Sequence, residues 1–254
     1  MSISAFPLLK SVPGFSFQQM AQDEIHVFFC DLSQLTVHVN AADKLLSEGE
    51  RARANSFRAP ADTRRFTLAR AALKRILSGY LHIESSHVKL QFGTYGKPCL
   101  PDPETIHFNL SHSGESAMIA VANGTDVGID VESIRNADYF DTLVATCFSS
   151  EERRAYTALE PWRRKEAFYA CWTRKEAYVK AMGMGLTIPL RNVETFFPPL
   201  SCEEFQPAKK GEWFLSDLKT GEGMAAAISA KGGKKSIAYF SAADIFSDWD
   251  GVES

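Results

Sequence analysis

A mixed α/β (α+β) fold is predicted by this sequence, and three observations carry the prediction. Residues 127–132, Val-Gly-Ile-Asp-Val-Glu, alternate β-favouring apolar residues with glycine and acids, the period of two that gives a strand one greasy face. Residues 63–81 and 162–182 are instead rich in helix formers, with apolar residues at helical spacing. A faint internal echo at a shift of 102 positions relates the helical regions of the two halves. Leu46-Ser47 through Glu50-Arg51 lies over Phe148-Ser149 through Glu152-Arg153, and in the same register Phe66 lies over Phe168.

Composition bounds what such a fold can be. With 254 residues the chain has room for one large domain or two small ones, each with its own core. A hydrophobic share of 45% and a charged share of 23% are those of an ordinary globular protein, and a net charge of −3 gives no overall electrostatic case for nucleic acid or an anionic membrane. Neither is expected as a partner. Residues 1–20 contain Phe6, Leu8, Leu9 and Phe15 but are broken by Pro7, Pro13 and Gly14 and lack a basic leader, so no signal peptide is expected. No run reaches transmembrane length. Five scattered cysteines, never at metal-ligand spacing, read as reduced thiols in a cytoplasmic protein.

Taken in order, residues 25–32 and 35–39 read as strands, or a strand and a connector, with His26 and His38 as structural neighbours. Residues 41–57 read as a helix, with Ser47 and Glu50 spaced as a capping box. Residues 59–61 break it, and 63–81 form a second helix that buries Phe66, Leu73, Ile76 and Leu77. Residues 88–92 are a strand leading into the turn Gly93-Thr94-Tyr95-Gly96-Lys97-Pro98, where glycine permits close backbone approach and Lys97 adds a charge. Residues 106–110 read as a strand ending at Ser111-His112-Ser113-Gly114, followed by a buried run over 117–122. A helix starts at Ser149 or Ser150 and ends near Pro161. The helix over 162–182 follows, stopped by Gly183. Strands are expected around 213–218, 224–229 and 236–240, then an acidic tail over 244–254.

Two of these elements carry chemistry. Asp130 and Glu132 project from one side of their strand, where like charges repel unless a cation or water lies between them. Mg²⁺ would suit two oxygen ligands completed by phosphate and water, and a half-exposed edge strand showing its polar face to solvent is the alternative. On the 162–182 helix, Trp172, Glu176 and Lys180 fall at four-residue steps and share a face; an ordinary surface ion pair is the alternative there. The Ser/His pair at 111–112 lacks a Gly-x-Ser-x-Gly elbow, which argues against a hydrolase.

Gly128-Ile129-Asp130-Val131-Glu132 followed by Trp172-Thr173-Arg174-Lys175-Glu176-Ala177 resembles the paired signature of the Sfp-type 4′-phosphopantetheinyl transferases. Tyr95-Gly96-Lys97-Pro98 and Phe108-Asn109-Leu110-Ser111-His112-Ser113 are similar to two further motifs of that family, and the four occur in the family's order across residues 95–186. The resemblance implies two similar subdomains related by a pseudo-twofold, with the active site in the cleft between them. Residues 1–124 would contact the phosphates of coenzyme A, and residues 125–254 would supply the Mg²⁺-binding carboxylates and the catalytic helix. The implied activity is that of a holo-[acyl-carrier-protein] synthase type enzyme: transfer of 4′-phosphopantetheine from coenzyme A to a serine of an apo acyl or peptidyl carrier protein, releasing adenosine 3′,5′-bisphosphate.

The resemblance further implies Asp130, Glu132 and Glu176 as Mg²⁺ ligands, Glu176 as general base, and Lys180 at the α-phosphate or leaving group. Lys97, Ser111 and His112 would hold coenzyme A beside Asp130, Glu176 and Lys180, and Arg53, Arg65 and Arg70 are candidates for phosphate, Arg53 foremost. Glu152 matches an acidic position near the family's metal site and has an equally good role at its helix start. Residues 139–148, with Arg135, Arg153 and Arg154 at the edges, would either dock the carrier or cover the core. A monomer is expected. The rival reading, a non-catalytic protein that binds coenzyme A or a carrier, has no use for all three carboxylates.

Overall fold

The structure, a computed structural model, describes residues 20–21, 23–102, 105–136, 140–193, 195 and 212–242. Its first sheet contains β1 (Glu24–Asp31), β4 (Ile106–Ser113), β5 (Ser116–Asn123) and β9 (Ser236–Ser241) in the order β4-β5-β1-β9. A second sheet has β6 (Val127–Ser133), β7 (Trp213–Asp217) and β8 (Met224–Lys231) in the order β6-β8-β7, and β2 (Gln91–Phe92) with β3 (Pro98–Cys99) makes a short hairpin. The helices are α1 (Val39–Leu45), α2 (Glu48–Asn55), α3 (Pro60–Leu81), α4 (Phe140–Cys147), α5 (Ser150–Ala158) and α6 (Pro161–Met182).

Alternation in β1 and β5 divides their side chains between two cores. Phe28, Cys30, Ala117, Ile119 and Val121 pack with Leu68, Leu73, Ile76 and Leu77 of α3. Ile25, Val27, Met118, Ala120 and Ala122 instead meet Val127, Ile129 and Val131 of β6 and Ile228 and Ala230 of β8. Two sheets thus lie face to face, with α3 against the outer face of the first. On the other side, α6 packs on β6 and β8.

The internal echo is a repeated plan. In each half a central strand, β5 or β8, runs antiparallel to both neighbours, giving β4-β5-β1 and β7-β8-β6. Each half has a helix opened by a complete capping box, Ser47 with Glu50 and Ser149 with Glu152, followed by a 22-residue helix that starts at proline. Even a buried ion pair is repeated. Lys74 of α3 lies 2.9 Å from Glu50, and Lys175 of α6 lies 2.7 Å from Glu152. The division at residue 124 is not strict, because β9 crosses back to pair in parallel with β1.

Of the two readings of residues 25–39 the structure takes a strand and a connector, the connector being a single 3₁₀ turn over Thr36–His38 leading into α1; Val37 is exposed and no strand among the described residues pairs there, so local helical bonding wins. Two expectations are corrected. The helix expected over 41–57 is two, α1 and α2, parted by extended backbone at Leu46 and Ser47, because the Ser47 cap starts a new helix. Ser111, His112 and Ser113 continue β4 instead of ending it, paired with Met118, Ala117 and Ser116, and the hairpin turns at Gly114, whose φ is +59°. Residues 1–19 and 243–254, including the expected acidic tail, lie outside the described residues.

Candidate active site

The site forms where α6 crosses β6. A side chain at Gly128 would collide with the carbonyl of Ala177 and the amide of Ala181, with its Cβ only 2.9 Å from the Ala181 Cα. Glycine and alanine therefore let helix and strand backbones touch, which carries Glu176 and Lys180 of α6 over Asp130 and Glu132 of β6. Asp130 is buried, while Glu132, Glu176 and Lys180 are partly exposed. All four residues expected here on the second half converge.

Their charges are unevenly matched. Lys180 Nζ donates to Asp130 Oδ1 at 2.5 Å and to Ser111 Oγ at 3.0 Å, and Ser111 Oγ donates to the same Asp130 oxygen at 2.9 Å. Asp130 Oδ2 is buried and accepts no hydrogen bond from the described residues. Glu176 is pushed above the usual carboxylate range by burial and by the charges of Asp130 and Glu132, against the pull of Lys180. Glu132 is likewise raised by burial and by Asp130, although Ser113 donates to its Oε2 at 2.8 Å. With all three carboxylates ionised, Lys180 and, at Glu132, Arg135 would not balance them, and Glu132 and Glu176 accordingly hold their protons more tightly.

An orphaned buried acceptor beside two carboxylates that resist ionisation is a donor set suited to a hard divalent cation such as Mg²⁺. Among the described residues no three His, Cys, Asp or Glu side chains converge closely enough to hold a metal unaided. The fit is therefore to an ion that takes part of its oxygen shell from substrate and water, as Mg²⁺ does.

The residues expected from the first half are placed more variously. Ser111 faces Asp130, but its one proton goes to that carboxylate and its lone pairs accept from Lys180 and from Val131 N at 3.4 Å, which exhausts a hydroxyl. Lys97 Nζ donates to the carbonyls of Val127, at 2.9 Å, and Ala181, at 3.3 Å, joining the start of β6 to the end of α6. Burial lowers its pKa. His112, on the alternate face of β4, has an exposed edge; enclosure of its inner side and the cations of Lys180, Arg65 and Arg70 hold it below its usual value.

Of the three arginines, Arg65 is already held, at 2.8 Å by Glu115 and 3.0 Å by Asp62. Arg53 is exposed and Arg70 buried, with guanidinium carbons 5.9 and 5.5 Å from the Phe66 ring centre. Arg70 Nε and Nη1 are buried without a hydrogen-bond partner among the described residues, the nearest carboxylate being Glu50 at 3.6 Å. Burial and the cations of Lys180, Arg65 and Arg70 together favour the neutral form of His112.

Glu152 has a different neighbourhood. Buried at the start of α5, it closes the Ser149 capping box, pairs with fully buried Lys175 and accepts from Thr195 N at 3.0 Å. Lys175 also donates to the carbonyls of Leu190, at 3.0 Å, and Val193. Trp172 stacks on Phe168 at 5.9 Å and belongs to packing. In α4, Phe140 lies 4.7 Å from Phe168 and 5.7 Å from Tyr169, while Val144 and the adjoining Phe148 are buried, so this segment covers a core; Tyr139 lies outside the described residues. Sequence reasoning missed Ser113 at Glu132. Its signal was present, since Ser113 stands two residues from Ser111 on one strand and shares its face.

Comparisons with known proteins agree with both halves. Residues 126–229 match the family described as the 4′-phosphopantetheinyl transferase superfamily, and residues 35–124 match the one described as 4′-phosphopantetheinyl transferase, N-terminal. The 4′-phosphopantetheinyl transferase HetI of Nostoc sp. strain PCC 7120 is 34% identical over 216 residues, 84% of this chain and 90% of its own. The 4′-phosphopantetheinyl transferase Sfp of Bacillus subtilis strain 168 is 29% identical over 160 residues, 58% of this chain and 70% of its own. The L-aminoadipate-semialdehyde dehydrogenase-phosphopantetheinyl transferase of Homo sapiens is 28% identical over 178 residues, covering 65% and 57%. With a relative matched over most of both chains and each half answering to a family of the same description, the chain belongs to the Sfp-type 4′-phosphopantetheinyl transferases.

Proposed function

We propose that this transferase moves 4′-phosphopantetheine from coenzyme A to a serine hydroxyl of an apo acyl or peptidyl carrier protein. Adenosine 3′,5′-bisphosphate leaves as the hydroxyl oxygen bonds to the phosphorus on the pantetheine side and the pyrophosphate P–O bond breaks. The observation that supports this most is the convergence of Asp130, Glu132, Glu176 and Lys180 around an orphaned buried carboxylate oxygen. Asp130, Glu132 and Glu176 would hold Mg²⁺, which when bound neutralises charge on the pyrophosphate. Glu176, its proton affinity raised, accepts the serine proton directly or through a water. Lys180, tethered at Ser111 and Asp130, reaches the leaving phosphate. Exposed Arg53 would meet the nucleotide phosphates, whereas Arg70, whose Nε and Nη1 are buried, would have to be uncovered to do so. Lys97 contributes positive charge from the first half, and His112, favoured as a neutral imidazole, offers a ring N–H as hydrogen-bond donor.

One chain supplies both halves, which supports a monomer as the working form. Cys30, Cys99, Cys147 and Cys171 are free and no helix among the described residues is long and apolar enough to cross a membrane, in keeping with a cytoplasmic enzyme. The narrower assignment, a holo-[acyl-carrier-protein] synthase type of activity, is decided by a panel of apo carriers incubated with coenzyme A and Mg²⁺ and read by intact mass. The carriers served gain one phosphopantetheine, and Asp130→Ala, still folded, adds none. Absence of a mass gain on every carrier would refute the reading.

A further inference from the structure

β4 and β6 meet at a seam in which side chains take the place of a strand ladder. Asn109 Oδ1 accepts from Ile129 N at 2.8 Å, Ser111 Oγ from Val131 N at 3.4 Å, and Ser113 Oγ from Ser133 N at 3.1 Å. The register has a second meaning. The Ser111 hydroxyl that accepts from Val131 N donates to the carboxylate of Asp130, and the Ser113 hydroxyl that accepts from Ser133 N donates to Glu132. Each serine thus reads two consecutive residues of β6, an acid and the amide after it.

We propose that Ser113, and Ser111 with it, are positioning residues for the candidate metal ligands, a role that rests on the metal reading above. A hydroxyl has one proton, and an amide pinned to its lone pair directs that proton outward. Here it points to a carboxylate, so the orientation of Glu132 is fixed by the backbone of its own strand through Ser113. Held in this way, Glu132 would meet a cation without first having to give up its rotamer freedom. Ser113 gives the cleaner test because Ser111 also carries Lys180.

The test is Mn²⁺ titration, followed by electron paramagnetic resonance, of the full chain with saturating coenzyme A and no carrier, so that substrate oxygens are present but no transfer occurs. Ser113→Ala should weaken Mn²⁺ binding by about 10–100-fold, the usual effect of losing a partner that orients a metal ligand. Ser113→Thr, which keeps the hydroxyl, should restore it, while metal-free coenzyme A affinity stays at the wild-type value in both. A structural role alone would change melting temperature and coenzyme A affinity and spare Mn²⁺. Wild-type Mn²⁺ affinity in Ser113→Ala overturns the proposal while leaving the metal reading in place. Failure of the wild type itself to bind Mn²⁺, or equal binding by Glu132→Gln, overturns both. Should Ser113→Ala not fold, Ser113→Cys, of similar volume and a weaker donor, carries the same comparison.

Discussion

Replacing Gly128 with alanine tests how the site is assembled. The added methyl would meet the Ala177 carbonyl and the Ala181 amide well inside van der Waals contact and lie 2.9 Å from the Ala181 Cα, all of them backbone atoms that no rotamer can move. To reach ordinary contact, α6 must retreat from β6 by on the order of 1 Å. Overpacking of this kind costs about 1–3 kcal/mol and more where backbone opposes it, so a drop of several degrees in Tm is expected. Activity should fall further. Glu176 and Lys180 ride on the displaced helix while Asp130 and Glu132 stay on the strand, and a misplacement of about 1 Å can cost around 100-fold in rate. Thermal melts and single-turnover transfer assays read the two effects. Gly49→Ala is the control: nothing lies within 4 Å of its Cβ, and in α2 it should stabilise by about 0.4–1 kcal/mol. If Gly128→Ala melted and turned over like the wild type, the close helix–strand contact would not be what assembles the site.

Glu152→Ala should cost about 3–5 kcal/mol, because it strands fully buried Lys175 without its carboxylate, and should spare Mn²⁺ affinity wherever the protein remains folded; an unchanged Tm with lost metal affinity would reverse that assignment. Lys97→Ala should lower both stability, by about 1–3 kcal/mol for its two carbonyl contacts, and coenzyme A affinity; loss of affinity at an unchanged Tm would show the carbonyl contacts to be immaterial. Glu176 and Glu132 hold protons more tightly in the folded protein, so in metal-free buffer their contribution to stability is fully present below the ordinary 4.5 and is lost as pH rises through their raised values. Carboxyl NMR should place the Glu176 titration above the ordinary 4.5, and Glu176→Gln should flatten the metal-free dependence of Tm on pH; a midpoint at or below 4.5 would remove the basis for Glu176 as a base of raised proton affinity.

What the sequence determined by itself is the set of features encoded within a few residues of one another. The Ser47–Glu50 capping box, the helix start at Ser149 or Ser150, the stop at Gly183, the alternation of β6 and the Asp130/Glu132 pair were legible because a cap needs only its own turn and a pleat only its own strand. Glu176 and Lys180 were legible for the same reason, being one helical turn apart. Tertiary structure decided what those side chains meet. Whether residues 35–39 pair as a strand or connect depends on a neighbouring strand, and among the described residues none lies beside them. Whether a serine on β4 contacts substrate or a carboxylate depends on which strand lies beside it. Glu152 and Lys175 share one pattern of charge with any exposed pair, and only the packing of α5 against α6 buries them together. Arg65 and Arg70 are alike in sequence, five residues apart on one helix, yet Glu115 from the distant β4–β5 turn engages the first and leaves the second with donors unspent. Local pattern sets the direction of a side chain, and long-range packing alone supplies its partner.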